Sequence, residues 1–251
     1  MASSVKTLDS FEKRRLGRTN VMVNPFGLGG AGFGKSNSDE EVIEAIHQAI
    51  ELGIDYIDTS PLYGESERRI GFGLEGGWRD KVFLATKTGT GVIPKNYTAD
   101  WTYRSVERSL KLLKTDMLDL VQIHDPDDLE SALAPDGALS ALKDLKEQGV
   151  IRGSPILFGL LSNRPLAEKM KRRNLSPDDP EIVKIRQLSE WTAERGVKLL
   201  SLALQYCMRD SRVGVILVGV RNRQQLEENV MSVLETLPEN IMEELANDFG
   251  I

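Results

Sequence analysis

The sequence DYIDTSPLYG, residues 55–64, places an acid and a phenol at the point where a predicted strand ends. Apolar residues lead into the stretch, and the sequence Thr-Ser-Pro then breaks the strand pattern. Asp58 is therefore predicted near the C-terminal end of the strand and Tyr63 in the loop that follows. Ligands of parallel α/β proteins bind at this end of the sheet. The stretch predicts a ligand site.

Two later strand ends repeat this arrangement, and each presents one ionisable side chain. VFLATKTG ends with Lys87, and MLDLVQIHDP ends with His124. Each residue alone has an ordinary explanation, such as a solvated lysine, a capping aspartate or a loop aromatic. Because the C-terminal ends of parallel strands meet on one face of such a protein, we predict that Asp58, Tyr63, Lys87 and His124 form one site.

Composition excludes several classes of protein. A chain of 251 residues with 40% hydrophobic residues is long and apolar enough for a sizeable core. The net charge of −6 gives no electrostatic reason to expect a nucleic-acid or membrane partner. Cys207 is the single cysteine, which excludes an internal disulfide, and two distant histidines give no metal-ligand spacing. The sequence predicts a soluble, cytoplasmic protein with no bound metal.

The chain alternates between strand and helix patterns with short connections, which is typical of βα units on a parallel sheet. Residues 1–13 are predicted as a tail, residues 14–251 as one domain, and the sequence around residues 14–23 as a hairpin. The run VGVILVGV is predicted as a strand that is buried on both faces. Helices are predicted at residues 39–52, 65–74, 103–113, 138–148, 181–195, 199–208, 224–234 and 240–247. His47 is predicted on the solvent face of the first of these helices, beside carboxylates one turn away.

The sequence GLGGAGFG satisfies the pattern G-x-G-x-x-G with Gly27, Gly29 and Gly32. This pattern favours an alternative, a Rossmann dinucleotide-binding fold. That fingerprint opens a helix at once, whereas the next helix signal here waits for Ser38 as N-cap, with Glu41 completing a capping box. Glycines that let a ligand approach a strand end, or a plain flexible loop, explain the sequence as well.

The motifs together resemble the aldo-keto reductases, which are NAD(P)-dependent oxidoreductases built on a (β/α)8 barrel. The resemblance covers residues 14–153 and 154–235 and is nearest to the aldose dehydrogenase branch. It implies that Asp58, Tyr63, Lys87 and His124 are the family's catalytic tetrad. Tyrosine would exchange a proton with the substrate, with its pKa lowered by the lysine, which the aspartate holds in place. Neutral histidine would orient the substrate oxygen.

The resemblance also implies a nucleotide site, with NAD preferred and NADP possible as the cofactor. The preference rests on Gln225, which stands where many NADP-using relatives place an arginine. A surface amphipathic helix would explain the residues around it without a ligand. The residues implied in cofactor binding are Gly29, Gly30, Asp58, Ser154, Pro155, Ile156, Gly219, Val220, Arg221, Gln225, Glu228 and Asn229.

The strand count departs from the resemblance, because about six core strands are found where a closed barrel needs eight. Gly153 is joined directly to Ser154, where the family carries two further βα units, on the order of 55–60 residues. We therefore predict an incomplete barrel with an apparent deletion at this junction. The implied activity is oxidation of an aldose at C1 to a lactone, or turnover of another small carbonyl compound or alcohol. A truncated barrel that acts as a binding or scaffold protein is the alternative.

Overall fold

A computed structural model describes residues 7–35, 38–153, 176 and 178–250 of the chain. These residues belong to two compact units. One comprises residues 1–159 and 214–227, and the other comprises residues 160–213 and 228–251. The single domain predicted for residues 14–251 stays a prediction. No helix among the described residues is both long and apolar enough to cross a membrane.

The first unit contains a short hairpin and a parallel sheet. The hairpin pairs two antiparallel strands, as predicted, and the turn between them contains Asn20 in the left-handed conformation. The strands are β1 (Arg14–Arg15), β2 (Met22–Val23), β3 (Phe26–Gly29), β4 (Tyr56–Asp58), β5 (Phe83–Thr88), β6 (Leu118–Ile123), β7 (Ile151–Gly153) and β8 (Ile216–Gly219).

The six parallel strands follow the order β7-β6-β5-β4-β3-β8. Each strand from β4 to β7 lies beside the strand before it, and β8 returns to lie beside β3. This placement of the last strand beside the first is the arrangement of a barrel, whereas a Rossmann sheet reverses its strand order near the middle. The Rossmann alternative is therefore wrong. The described strands leave β7 and β8 as the two edges, so the prediction of an incomplete barrel-type α/β fold is confirmed.

Helices alternate with these strands. They are α1 (Asp39–Glu51), α2 (Ser66–Gly73), α3 (Ala99–Leu113), α4 (Leu129–Leu133), α5 (Ala138–Glu147), α6 (Pro180–Glu194), α7 (Leu199–Arg209), α8 (Arg223–Leu234) and α9 (Ile241–Phe249). Helix α1 begins as predicted, because Ser38 accepts a hydrogen bond from the Glu41 backbone N–H at 3.2 Å. Its buried side chains include Val42, Ile46 and Ala49 from the predicted apolar face.

Two local predictions are wrong for physical reasons. His47 is not a freely solvated histidine. Its ring stacks on Trp78 at 4.4 Å between centroids, and its Nε2 lies 2.9 Å from the Gly73 carbonyl oxygen. Strand β8 is not buried on both faces, since Leu217 is 41% exposed. In the described sheet β8 has only β3 as a neighbour, so fewer residues are available to cover it.

The core of the sheet lies at the end where the strands begin. Val23 of the hairpin packs there against Tyr56, Phe83 and Leu120 from three successive strands. The rings of Tyr56 and Phe83 stack with centroids 5.2 Å apart. The opposite end of the same inner face is therefore the end left for polar side chains.

The second unit is helical in its described part. Trp191 of α6 packs with Leu202 of α7 and with Ile241 and Leu245 of α9. The indole N–H of Trp191 donates to Asp248 Oδ2 at 2.7 Å, so this polar atom is paired inside the cluster. Helix α8 begins in the first unit and ends in the second.

Candidate active site

Strand register determines which side chains share the inner face of the sheet. Tyr56 is in register with Phe83, Asp58 with Ala85, and Lys87 with Gln122. Residues in register on parallel strands point to the same face, and side chains alternate along each strand. Asp58 and Lys87 thus lie on the same face as Tyr56 and Phe83, displaced toward the C-terminal ends of the strands.

Lys87 and Asp58 form a buried ion pair. The Lys87 ammonium donates to Asp58 Oδ2 and also to the Thr59 carbonyl oxygen at 2.8 Å. Both side chains are less than 10% exposed. Burial raises the pKa of the Asp58 carboxyl, and the ammonium of Lys87 opposes that rise. The pair is satisfied on the lysine side, whereas Asp58 Oδ1 is buried without a partner among the described residues.

Tyr63 is carried by a short 3-10 turn, Pro61–Tyr63, that follows β4. Ser60 caps this turn by accepting a hydrogen bond from the Leu62 backbone N–H at 3.1 Å. Gly34 lies against it so closely that a Cβ atom at this position would be 1.7 Å from the Tyr63 carbonyl oxygen. The Tyr63 ring centroid is then 5.1 Å from Lys87 Nζ and 5.8 Å from the centroid of the His124 ring.

The electrostatics of Tyr63 correct one prediction. We expected Lys87 to lower the pKa of the phenol. Instead burial, followed by the negative charges of Asp58 and Asp125, raises the pKa of Tyr63 to about 12. Lys87 Nζ lies 5.1 Å from the ring centroid of Tyr63, but its charge does not outweigh burial and the two carboxylates. Without a bound ligand, Tyr63 is a neutral phenol at physiological pH.

His124 follows β6 and is 7% exposed. Its Nδ1 lies 3.0 Å from Ser60 Oγ and 2.7 Å from Thr90 Oγ1. Burial, then the nearby positive charge of Lys87, lowers the pKa of the imidazole to about 4. His124 is thus neutral near pH 7, as its predicted role requires. The structure brings all four predicted catalytic side chains into one cluster.

Three residues at this cluster escaped the sequence analysis. Ser60 and Thr90 contact the imidazole, and the Asp125 carboxylate lies 3.8 Å from His124 Nε2. Ser60 belongs to the opening motif, where it counted only as part of a strand break. Thr90 has no sequence signal, because its position depends on how the loop after β5 turns. Asp125 adopts a φ of 44°, a left-handed conformation that aspartate tolerates better than most residues.

The residues predicted to bind cofactor fall into three groups according to where they lie. Gly29 pairs with Gly219 across β3 and β8, and a Cβ at Gly30 would be 2.8 Å from the Asp58 carbonyl oxygen. The glycines thus keep the strand ends bare where these elements meet. Ser154, Pro155 and Ile156 lie outside the described residues. Asn229 is buried on α8 and Glu228 is exposed, and both belong to the second unit.

The loop between β8 and α8 is tied to the start of the helix. The Arg221 backbone N–H donates to Gln225 Oε1 at 2.9 Å, and the Gln225 backbone N–H donates to Asn222 Oδ1 at 3.1 Å. Val220 is buried, and a Cβ at Gly32 would be 2.1 Å from its carbonyl oxygen. The glycine-rich loop and the segment before α8 are therefore in backbone contact within the first unit.

The residues at the C-terminal ends of the strands, beside Asp58, fit a nicotinamide nucleotide. The observation is Asp58 Oδ1, a buried carboxylate oxygen that lacks a hydrogen-bond donor in the described structure. Buried acceptors in native proteins are rarely left unpaired, and a ribose hydroxyl is a donor of suitable chemistry. Gly29, which is in register with Asp58, and Gly219 carry no side chain that could fill the space beside it.

Two depressions of the first unit lie away from this cluster. One of about 530 Å³ is lined by residues at the C-terminal end of α3, and one of about 380 Å³ lies where the sheet strands begin. Arg79 lines both, and its guanidinium donates to Asp119 Oδ2 and to the carbonyl oxygens of Val82 and Met117. These hydrogen bonds engage the Arg79 guanidinium within the protein, so we assign Arg79 a structural role. The described residues contain no group of three His, Cys, Asp or Glu side chains arranged to hold a metal ion.

The chain is similar to a known family of proteins. The family described as Aldo/keto reductase family matches residues 25–156 and 153–247. L-galactose dehydrogenase of Arabidopsis thaliana is 25% identical over 286 aligned positions, which cover 91% of this chain and 90% of that protein. D-arabinose 1-dehydrogenase of Saccharomyces cerevisiae is 40% identical over 54% of this chain and 44% of its own length. A crystal structure of a putative aldo-keto reductase from Pseudomonas aeruginosa has a TM-score of 0.67 and 28% identity, covering 90% of this chain and 96% of that one.

The extent of these matches bears on the junction at Gly153. Because 91% of 251 residues is about 228, the 286 positions aligned with L-galactose dehydrogenase include about 58 at which this chain has no residue. Five further curated relatives are matched over 41% to 60% of their own lengths. The matches together span the chain from residue 25 to residue 247, and it therefore belongs to the aldo/keto reductase family of oxidoreductases.

Proposed function

We propose that the cluster around Tyr63 transfers a hydride between a nicotinamide nucleotide and an aldose, with oxidation of the C1 hydroxyl to a lactone. The observation that carries this proposal is the buried Lys87–Asp58 ion pair beneath Tyr63 and His124. The relatives named for L-galactose and D-arabinose favour a sugar as substrate. When bound, the nucleotide supplies the hydride acceptor or donor.

The side chains of the chain move the proton. In the oxidation, the C1–H bond breaks with transfer of a hydride, the C1 hydroxyl becomes a carbonyl, and its proton passes to Tyr63 Oη, which must be in the deprotonated, tyrosinate form to accept it. In the reverse reduction, the phenol returns this proton to the oxygen. His124 is neutral and donates a hydrogen bond to the same oxygen. Because the pKa of Tyr63 is about 12 without ligand, the phenol is ready to donate its proton in the reduction, whereas in the oxidation it must first lose this proton.

The decisive experiment follows nicotinamide absorbance with a panel of aldoses and with simple aldehydes. Turnover that is lost in Tyr63→Phe supports the proposal. Tyr103→Phe is a matched control, because Tyr103 bonds Asp144 on the helices outside the cluster. Absence of turnover at any substrate, together with absence of nucleotide binding, would instead favour the alternative of a binding or scaffold protein.

We further propose that NAD is preferred over NADP. Gln225 stands where an arginine would hold the 2′-phosphate, and its Oε1 already accepts a hydrogen bond from the loop backbone. A missing charge-assisted hydrogen bond is worth about 1.5–3 kcal/mol, or roughly one to two decades in affinity. Fluorescence titrations should show tighter binding of NAD than of NADP, and Gln225→Arg should tighten the binding of NADP. Gln224→Arg adds the same charge one residue earlier as a control, and tighter NADP in the unaltered chain would overturn the preference.

A further inference from the structure

Two buried hydroxyl groups hold one side of the His124 ring. Nδ1 lies 3.0 Å from Ser60 Oγ and 2.7 Å from Thr90 Oγ1. Ser60 has no exposed surface, and Thr90 is 2% exposed. Water therefore has little access to these hydroxyls, and their hydrogens must find acceptors within the protein.

The partners of Ser60 fix the direction of its hydrogen bond. Its oxygen accepts from the Leu62 backbone N–H, which leaves the hydroxyl hydrogen to be donated. If His124 Nδ1 carried a hydrogen, both hydroxyls would have to accept from it, and neither hydroxyl hydrogen has another acceptor among the described residues. A buried hydroxyl without an acceptor is costly. The single lone pair of Nδ1 can accept from one of the two hydroxyls or be shared between them, whereas a hydrogen on Nδ1 would leave both without an acceptor, so the arrangement favours Nδ1 as the acceptor.

We infer that Ser60 and Thr90 are positioning residues that keep the His124 hydrogen on Nε2. The inference deepens the proposed function, because Nε2 is the ring nitrogen left to meet a substrate oxygen. A neutral imidazole with its hydrogen on Nε2 donates one hydrogen bond to that oxygen. The opposite tautomer would present a lone pair and repel it.

The tautomer can be read directly by nitrogen NMR, because the chain has only two histidines. Long-range proton–nitrogen correlation spectra of the full chain, labelled with ¹⁵N-histidine near pH 7, should show His124 with a protonated Nε2 and an unprotonated Nδ1. His47→Asn assigns the second set of signals. His47 itself is an internal reference, since the Gly73 carbonyl oxygen can only accept a hydrogen bond from its Nε2.

A set of variants separates the effect of losing the two hydroxyls from the effects of substitution in general. Thr90→Val and the double variant Ser60→Ala/Thr90→Val should shift His124 toward a mixture of tautomers, whereas Thr90→Ser should keep the original pattern. Thr88→Val is a matched control, because it removes a buried hydroxyl that has no partner in the described structure, two residues away. Unchanged His47 signals show that a variant is folded. If the double variant unfolds, the unaltered chain decides, because the inference requires its His124 hydrogen to be on Nε2.

A hydrogen on Nδ1 in the unaltered chain would overturn the inference, and so would a His124 pattern that is the same in the double variant Ser60→Ala/Thr90→Val and in the unaltered chain. These measurements need neither nucleotide nor substrate. If the tautomer behaves as expected but no Tyr63-dependent turnover is found, the proposed function fails and the inference stands. Where turnover is found, Thr90→Val should lower kcat on the order of tenfold, with KM changed less.

Discussion

At the scale of single residues, Lys87 is expected to matter for stability, because its ammonium is buried and bound to Asp58 and to the Thr59 carbonyl oxygen. Lys87→Met would leave the Asp58 carboxylate buried without its counter-ion. Breaking a buried pair in this way costs about 3–5 kcal/mol. We expect a loss of that order in the free energy of unfolding, measured by urea denaturation.

The double variant Asp58→Asn/Lys87→Met is the control for that measurement. It removes both charges, so it should be destabilised by less than the sum of the two single variants. Strictly additive losses would show that the two charges do not interact in solution, contrary to the ion pair described above.

The pH dependence of stability should report on His124. Its pKa is about 4 in the folded chain, below the ordinary value near 6.5, so between these values the unfolded chain binds the extra proton. Stability from this residue is therefore complete above about pH 6.5 and is lost as pH falls toward 4, by as much as about 1.4 kcal/mol per pH unit. His124→Gln removes this contribution. Its unfolding free energy should fall less steeply over this range, and parallel curves for the two proteins would contradict the assignment.

Between elements, the position of the Tyr63 turn is set by the backbone of the loop before α1. A Cβ at Gly34 would overlap the Tyr63 carbonyl oxygen at 1.7 Å, so Gly34→Ala must displace one of the two segments. Displacement of a reacting group by about 1 Å can cost about 100-fold in rate. We expect turnover to fall by about 100-fold, whereas the melting temperature should change only slightly.

Gly214→Ala is the matched control, because a Cβ there would be 3.5 Å from Leu16, an ordinary contact. It should leave turnover near that of the unaltered chain. Equal turnover in Gly34→Ala would show that the Tyr63 turn does not depend on this close approach.

The sequence predicted elements and the four clustered side chains because these depend on local patterns. Asp58, Lys87 and His124 each stand at or just beyond the C-terminal end of an apolar strand, and register then brings such residues together. The sequence did not predict the charge balance at Tyr63, since that depends on how far Lys87 is engaged by Asp58. It also missed Thr90, which reaches His124 through a loop of irregular backbone. Exposure of Leu217 was missed because edge position is a property of the assembled sheet.

At the scale of the whole molecule, the described sheet ends at β7 and β8 where a closed barrel would join them. About 58 positions of L-galactose dehydrogenase have no counterpart in this chain, and the two family matches meet at residues 153–156. Both observations support the predicted deletion. By the family resemblance, the missing interval carries contacts to the nicotinamide carboxamide, so we expect turnover by this chain to be slow, well below that of a full-length relative.

Insertion of the corresponding segment of a relative between Gly153 and Ser154 tests this expectation. Two additional strands would cover the edges of β7 and β8 and supply the missing contacts. Turnover and melting temperature should both rise above those of the unaltered chain. An insert of equal length made of glycine and serine controls for the added residues. Equal turnover and equal melting in the chains with and without the relative's segment would refute the expectation.

The strand order also has a consequence for the time course of folding. Strands β4 to β7 each pair with the preceding strand, so these pairings can form in the order of synthesis, before the distant strand β8 is made. Pairing of β3 with β8 joins Gly29 to Gly219, a distant contact that must wait until most of the chain has been made. Asp58, Lys87 and His124 all precede β7. In pulse-labelled hydrogen exchange during folding, the backbone amides of β5 and β6 should therefore become protected before those of β8. The strands that carry Asp58, Lys87 and His124 would then be paired before the loop that leads to α8 is in place.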